Sequence, residues 1–224
     1  MDLMSIRKQY GEGEVAVWAV KGITCAIEKG EWIAIMGESG SGKSTLLSIM
    51  GALNAPSGGS YRVDKIEVYS MGQEERADFR RAYLGFVFQN FHLVPYLTVI
   101  ENVILPLAPT PLKRMEKLAK AEQALWRVGL RGKENRLPNQ ISGGEQERVA
   151  IARAIVNTPP ILLADEPTGN LDRKTTQEIL DLFKILHSSG MTIVTVTHNP
   201  TCARYANKIL KLSDGILEGI EEVR

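Results

Sequence analysis

Nine consecutive residues, Gly37-Glu38-Ser39-Gly40-Ser41-Gly42-Lys43-Ser44-Thr45, restrict what this chain can fold into more than any other stretch. They match the spacing G-x-x-x-x-G-K-[ST]: glycines let the backbone wrap a phosphate with its N–H groups, the lysine adds positive charge, and the hydroxyl reaches a divalent cation. Such a loop needs a strand before it and a helix after it, because the helix N-terminus supplies both bare N–H groups and the positive end of a dipole. Both flanks are present. Glu31 to Met36 is a strand-like run ending at Gly37, and Lys43 to Met50 places Leu46, Leu47 and Met50 at helical spacing before the stop signal Gly51.

The rest of the chain extends this into a sheet. Ile161 to Ala164 is a short apolar run after Pro159-Pro160, and Thr192 to Thr197 is β-branched; both patterns suit strands buried on two faces. Between them, from about Asp172 to His187, Ile179, Leu182, Phe183 and Leu186 share one helical face, so the unit is strand, helix, strand and the sheet is parallel. Ile209 to Leu212, the turn pair Asp214-Gly215 and Ile216-Leu217 make a closing hairpin. Near the start, Val15 to Val20 and Ile23 to Ile27 read as two antiparallel strands tightly joined at Lys21-Gly22.

From about Asn90 to Gln140 strands are hard to find, and Met115, Leu118, Ala121, Leu125 and Val128 form a helical stripe whose other face carries Lys113, Arg114, Lys117 and Lys120, a solvated surface. The fold implied is α/β: a P-loop NTPase core with a parallel sheet over residues 1–89 and 141–224, an N-terminal antiparallel β subdomain, and an α-helical subdomain inserted at residues 90–140, which the helix starting at Ser142 joins in space. All 224 residues belong to one domain.

Charge narrows the partners. With 27 Lys+Arg against 26 Asp+Glu, no overall field draws the chain to nucleic acid or to an acidic membrane. Cys25 and Cys202 lie far apart among small or apolar residues and read as reduced core thiols of a cytosolic protein. There is no basic N-terminal region followed by an apolar stretch, and runs such as Val103 to Ala108 are short and broken by Pro106, so any membrane-spanning part is expected from another chain.

Two further motifs carry chemistry. Ile161 to Ala164 runs into Asp165 and Glu166, adjacent carboxylates that a strand end points to different sides: one can join a Mg²⁺ shell and the other polarise a water. Ser142-Gly143-Gly144-Glu145 fits the capping box S-x-x-E, with two glycines leaving N–H groups bare at a helix start. That makes a second phosphate-binding helix N-terminus.

The phosphate loop, Gln89 after Phe86-Val87-Phe88, Ser142-Gly143-Gly144-Glu145-Gln146, Asp165-Glu166 followed by Pro167-Thr168-Gly169-Asn170-Leu171-Asp172, and His198 after a strand occur in the order found in ABC ATPase subunits. The chain resembles that family from about Tyr10 to Gly215, and its details look most like the branch exporting macrolides, lipoproteins and peptides. The resemblance implies ATP and Mg²⁺. Tyr10 would stack on adenine; Gly37, Ser39, Gly40, Ser41, Gly42, Lys43, Ser44 and Thr45 would hold the phosphates; Ser44, Asp165 and Gln89 would surround the metal. Glu166 would be the general base, with His198 and Gln89 assisting.

It also implies partners. Ser142, Gly143 and Gly144 would grip ATP held by a second copy of the chain, with Asp172 crossing the interface of a head-to-tail dimer closed by ATP. An integral membrane permease would dock on the apolar stretch Phe86 to Val103 at the cytoplasmic face of the cell membrane, driven by hydrolysis to ADP and phosphate. A related expectation is an ATPase of the cell-division type that signals across the membrane and transports nothing. His92 and His187 match no motif and read as structural. Three residues depart from the family's usual ones: Glu145 and Glu147 where Gln is frequent, and Glu38 where Pro is, with Glu38 expected to point outward.

Overall fold

The computed structural model describes residues 1–223, apart from the side chain of Glu14. Its centre is a six-stranded sheet built from β3 (Trp32–Met36), β6 (Leu84–Val87), β7 (Ile161–Asp165), β8 (Thr192–Val196), β9 (Lys208–Ser213) and β10 (Ile216–Glu222). Their order across the sheet is β10-β9-β3-β8-β7-β6, parallel from β9 to β6, with β10 returning antiparallel on β9. In a parallel sheet every strand ends on the same edge, so the segments that follow β3, β6, β7 and β8 are gathered there.

Alternation along each strand divides the core. Trp32 and Ala34 of β3 point into one apolar cluster, together with Leu162, Ala164 and Ile193; Ile33 and Ile35 point into the other, with Leu163, Val194 and Val196. The first cluster is covered by α3 (Val99–Ile104), α4 (Arg114–Arg127), α5 (Gly143–Ile155) and α6 (Arg173–Ser188). The second is covered by α1 (Lys43–Met50), by α2 (Gln73–Tyr83) through Phe79, and by an antiparallel sheet of β1 (Asp2–Tyr10), β2 (Val17–Ala26), β4 (Gly58–Val63) and β5 (Ile66–Glu67) in the order β2-β1-β4-β5. A short α7 (Pro200–Ala203) follows β8. Helix α5 packs on β6 and on both α3 and α4, tying the 90–140 segment to the sheet.

Two expectations are corrected. Val15 to Val20 and Ile23 to Ile27 are not paired with each other: Val17 to Val20 and Ile23 to Ala26 lie on the single strand β2, whose partner is β1, and Val15 closes a short 3-10 turn before it. Gly22 has φ 101° and sits where the register slips between Ile6↔Ile23 and Arg7↔Lys21, so it makes a bulge instead of a turn. Met115 does not share the buried stripe of α4; it is 75% exposed in the first turn, whereas Ala121, Leu125 and Val128 are buried.

Candidate functional site

The loop from Gly37 to Thr45 leaves β3 and enters α1, as its spacing requires. Gly42 is the N-cap of α1 at φ 94°, and a Cβ there would sit 2.2 Å from the Ala19 carbonyl oxygen, so only glycine brings this backbone so close to β2. Lys43 is buried, its Nζ donating to the carbonyls of Gly37 (2.8 Å) and Glu38 (2.7 Å), which holds the charge over the mouth of the loop. Among the described residues the buried Ser41 hydroxyl has no hydrogen-bond partner. A polar atom in that position suits a phosphate oxygen.

The loop forms one wall of a cleft of about 640 Å³, completed by Ala19, Gln89, Glu166, Val196 and His198. Four strand ends therefore meet in it: those of β3, β6, β7 and β8. Asp165 is the last residue of β7, and its Oδ1 accepts from the Ser44 hydroxyl at 3.2 Å. Burial raises the Asp165 pKa, the Ser44 hydrogen bond opposes that, and the neighbouring Glu166 charge adds to it. A cation beside Ser44 and Asp165 would reverse this balance, and hydroxyl, carboxylate and the nearby Gln89 amide are hard donors that suit Mg²⁺.

Glu166 has φ 46°, an uncommon and strained setting for a residue with a side chain, costing on the order of 1–3 kcal/mol. Its N–H is held by the Val196 carbonyl (2.9 Å) and its own carbonyl by Gly169 N–H (3.0 Å). The strained turn brings its carboxylate to 2.8 Å from His198 Nδ1, where it is mostly shielded while the imidazole is exposed. With Glu166 ionised, the ring proton lies on Nδ1 and donates to it.

A second cluster forms elsewhere. Ser142 is the N-cap of α5: its hydroxyl accepts from Glu145 N–H (3.3 Å), and the Glu145 carboxylate accepts from Ser142 N–H (2.8 Å) and pairs with Lys133 (3.3 Å). A Cβ on Gly144 would fall 2.3 Å from the Thr175 methyl, so this glycine lets the start of α6 pack against the start of α5. Asp172 caps α6, accepting from Lys174 N–H (2.9 Å) and Thr175 N–H (3.1 Å) and from the Thr175 hydroxyl, and these bonds lower its pKa. Ser142, Gly143, Gly144 and Asp172 are thus neighbours, and none of them lines the cleft of Lys43.

Tyr10 is also outside that lining; it is 43% exposed at the end of β1, its hydroxyl accepting from Asn54 (2.6 Å). Glu38, expected to point away, is exposed and lines the cleft. Cys25 and Cys202 are buried thiols, and burial pushes Cys25 up to about 11. His187 is structural, 2.8 Å from the Gly30 carbonyl and edge-on to Trp32. Of the Phe86 to Val103 stretch, Val99 and Val103 belong to the core and Leu93 packs on it. The open groove, about 600 Å³, is formed instead by Phe86, Phe88 and His92 with Leu53, α2 residues and Leu105, Pro106 and Pro109.

The family model described as "ABC transporter" matches residues 20–169. The chain belongs to the ABC transporter family. It is similar to an uncharacterized ABC transporter ATP-binding protein of Thermotoga maritima, 47% identical over 99% of this chain and 94% of that protein. It is 46% identical to the lipoprotein-releasing system ATP-binding protein LolD of Geobacter metallireducens, over 96% of both. The macrolide export ATP-binding/permease protein MacB of Rhodopirellula baltica is 46% identical, but this chain spans only 33% of its length. Among solved structures, the dimeric ATP-binding cassette MJ0796 in a post-hydrolysis state with ADP and Pi superimposes with a TM-score of 0.92 at 43% identity, covering 100% of this chain and 98% of that one. Within the ABC family this chain is an ATP-binding, ATPase subunit.

Ala19 of the cleft wall escaped sequence reasoning. It acts through its backbone, so its residue type carried no signal.

Proposed function

We propose that this ABC subunit hydrolyses ATP with Glu166 as general base and drives a separate membrane permease of the exporter branch. The observation that carries this is the Glu166 carboxylate, held in a strained backbone and bonded to His198, opening into the cleft walled by the phosphate loop. The loop N–H groups, the Ser41 hydroxyl and Lys43 bind the phosphates, with Tyr10 at the adenine end. Ser44, Asp165 and Gln89 would hold Mg²⁺, which when bound offsets phosphate charge. Glu166 takes a proton from the attacking water, while the Nδ1–H of His198 fixes the carboxylate's direction; its Nε2 donates to the γ-phosphate only when the ring carries both protons.

Because Ser142, Gly143, Gly144 and Asp172 lie off that cleft, the working unit is a head-to-tail pair in which each chain's α5 start closes the other chain's site. Hydrolysis removes the shared phosphate and reopens the pair. No helix among the described residues is long and apolar enough to cross a membrane, so force is delivered to another chain, through the groove at Phe86 and Phe88, at the cytoplasmic face of the membrane. Residues 90–140, read as the helical subdomain, supply one wall of this groove through His92, Leu105, Pro106 and Pro109.

Glu166→Gln is the test. ATP affinity is expected within about twofold of the parent, turnover at least about 100-fold lower, and an ATP-bound dimer visible by size exclusion. Unchanged hydrolysis would refute the assignment.

A further inference from the structure

Phe91 and His92 are consecutive non-glycine residues in the left-handed region, with φ 56° and 46°. One such residue is uncommon; the other consecutive pair, Asp64–Lys65, is the two-residue turn of the β4–β5 hairpin, where the strand pairing sets the backbone, whereas Phe91–His92 join no paired strands and need another support. That support is Arg153, on the far turn of α5. Its Nη1 donates to the His92 carbonyl at 2.6 Å and its Nη2 to the Phe91 carbonyl at 2.5 Å, so one planar fork spans both strained peptide units. The guanidinium is half-buried.

This turn begins two residues past Gln89. The Gln89 carbonyl is held from the other side by Asn170 Nδ2 at 3.2 Å, leaving the segment between two fixed points. The same turn faces the groove: Phe88, His92 and Arg153 all line it, and the His92 ring lies 5.1 Å from that of Phe88. One side chain therefore touches the groove wall and bonds the turn that sets where Gln89 stands.

We propose that Arg153 is a positioning residue: its fork holds the Phe91–His92 turn in its left-handed form and so fixes Gln89 in the nucleotide cleft. This rests on the reading of Gln89 as part of the Mg²⁺ and nucleotide site. A lysine carries the same charge but cannot bridge two carbonyls in one plane, and glycine at positions 91 and 92 would adopt positive φ without needing a clamp.

The experiment compares Arg153→Met, Arg153→Lys and Gln89→Ala with Arg153→Met combined with Phe91→Gly and His92→Gly. In the nucleotide-free chain, amide exchange over residues 88–94 is expected to quicken about tenfold in Arg153→Met, as two charge-assisted bonds are lost. Half-maximal turnover is expected to need about fivefold more Mg²⁺, with nucleotide affinity in EDTA unchanged, and the glycine pair to recover most of the Mg²⁺ shift. Arg153→Lys, which keeps charge and volume, is expected to fall between and serves if the methionine variant does not fold. Unchanged exchange and Mg²⁺ dependence in folded Arg153 variants, while Gln89→Ala shifts the Mg²⁺ midpoint, would overturn the clamp alone. No shift in Gln89→Ala would overturn the Gln89 reading and the proposal with it.

Discussion

The starts of α1 and α5 are both glycine-flanked helix N-termini, yet they solve opposite problems. At α1 the N-cap is Gly42, no side chain caps the first turn, no acid lies in it, and the first helical residue is Lys43. At α5 the Ser142 hydroxyl and the Glu145 carboxylate satisfy each other's backbone N–H groups, and Lys133 neutralises the acid. A helix leaves its first N–H groups unpaired unless something caps them, so α1 keeps its donors for a ligand, whereas the α5 box occupies the N–H groups of Ser142 and Glu145 and leaves those of Gly143 and Gly144. The first is proposed as an anion site within one chain, the second as one that a partner copy's nucleotide completes beside the cap.

Lys43→Ala attacks that contrast where the effect is largest. Removing the buried charge of the phosphate loop is expected to weaken nucleotide binding by about 2–3 kcal/mol, on the order of 100-fold, in a titration with fluorescent ATP analogue. A change below about threefold would mean that α1 does not depend on its lysine. Ser142→Arg, next in size, is expected to leave single-chain nucleotide affinity within about twofold but to abolish the ATP-dependent dimer and lower turnover at least about tenfold. Mixed with Lys43→Ala chains, it should yield at most one working site per pair. Should Ser142→Arg instead weaken binding by one chain as Lys43→Ala does, the two termini serve the same nucleotide and the contrast collapses.

Legibility in the sequence followed the same division. The phosphate loop, α1 and the parallel strands β3, β7 and β8 were readable because buried strands and amphipathic helices print their period on the residue order. Strand β1 was not, because its buried Leu3 and Ile6 are three apart across a register slip, which hides alternation. Helix α2 buries only Phe79 and shows no stripe. In the site, Lys43, Asp165 and Glu166 stood out by side-chain chemistry and spacing, and His198 only through the family resemblance. The turn at Phe91–His92 did not, since backbone strain and a carbonyl clamp from Arg153, some sixty residues away, leave no pattern in composition or spacing. The fold brought Gln89 and Glu166 into one cleft, a result of parallel strand ends sharing an edge and not of any local signal.

Helix α5 holds a second acid whose setting inverts that of Glu145. Glu147 is 1% exposed and neither carboxylate oxygen has a hydrogen-bond partner among the described residues; burial raises its pKa from 4.5 to about 8, opposed by Arg153. A carboxyl raised in the folded state binds its proton more tightly there than in the unfolded chain, so stability falls as pH rises from about 4.5 to about 8. Glu147→Gln removes that loss. Its unfolding free energy is expected to gain on the parent's by about 2–4 kcal/mol between pH 5 and pH 8, measured by denaturant melts at both values; parallel pH profiles would show that the acid is paired or hydrated.

The smallest effect is expected at Glu145, where the sign reverses. The Ser142 backbone hydrogen bond, helped by Lys133, lowers its pKa, so it favours folding above its ordinary range and loses that contribution as pH falls through the lowered value. Glu145→Gln keeps an acceptor for the Ser142 N–H but gives up the ion pair and the charge on the helix dipole. A cost of about 0.5 kcal/mol at pH 7 follows, shrinking toward zero below about pH 4. If the same variant also tightens the ATP-dependent dimer, the carboxylate is competing with the incoming phosphate for the α5 terminus; if dimerisation weakens instead, the self-cap is what holds that terminus in shape for it.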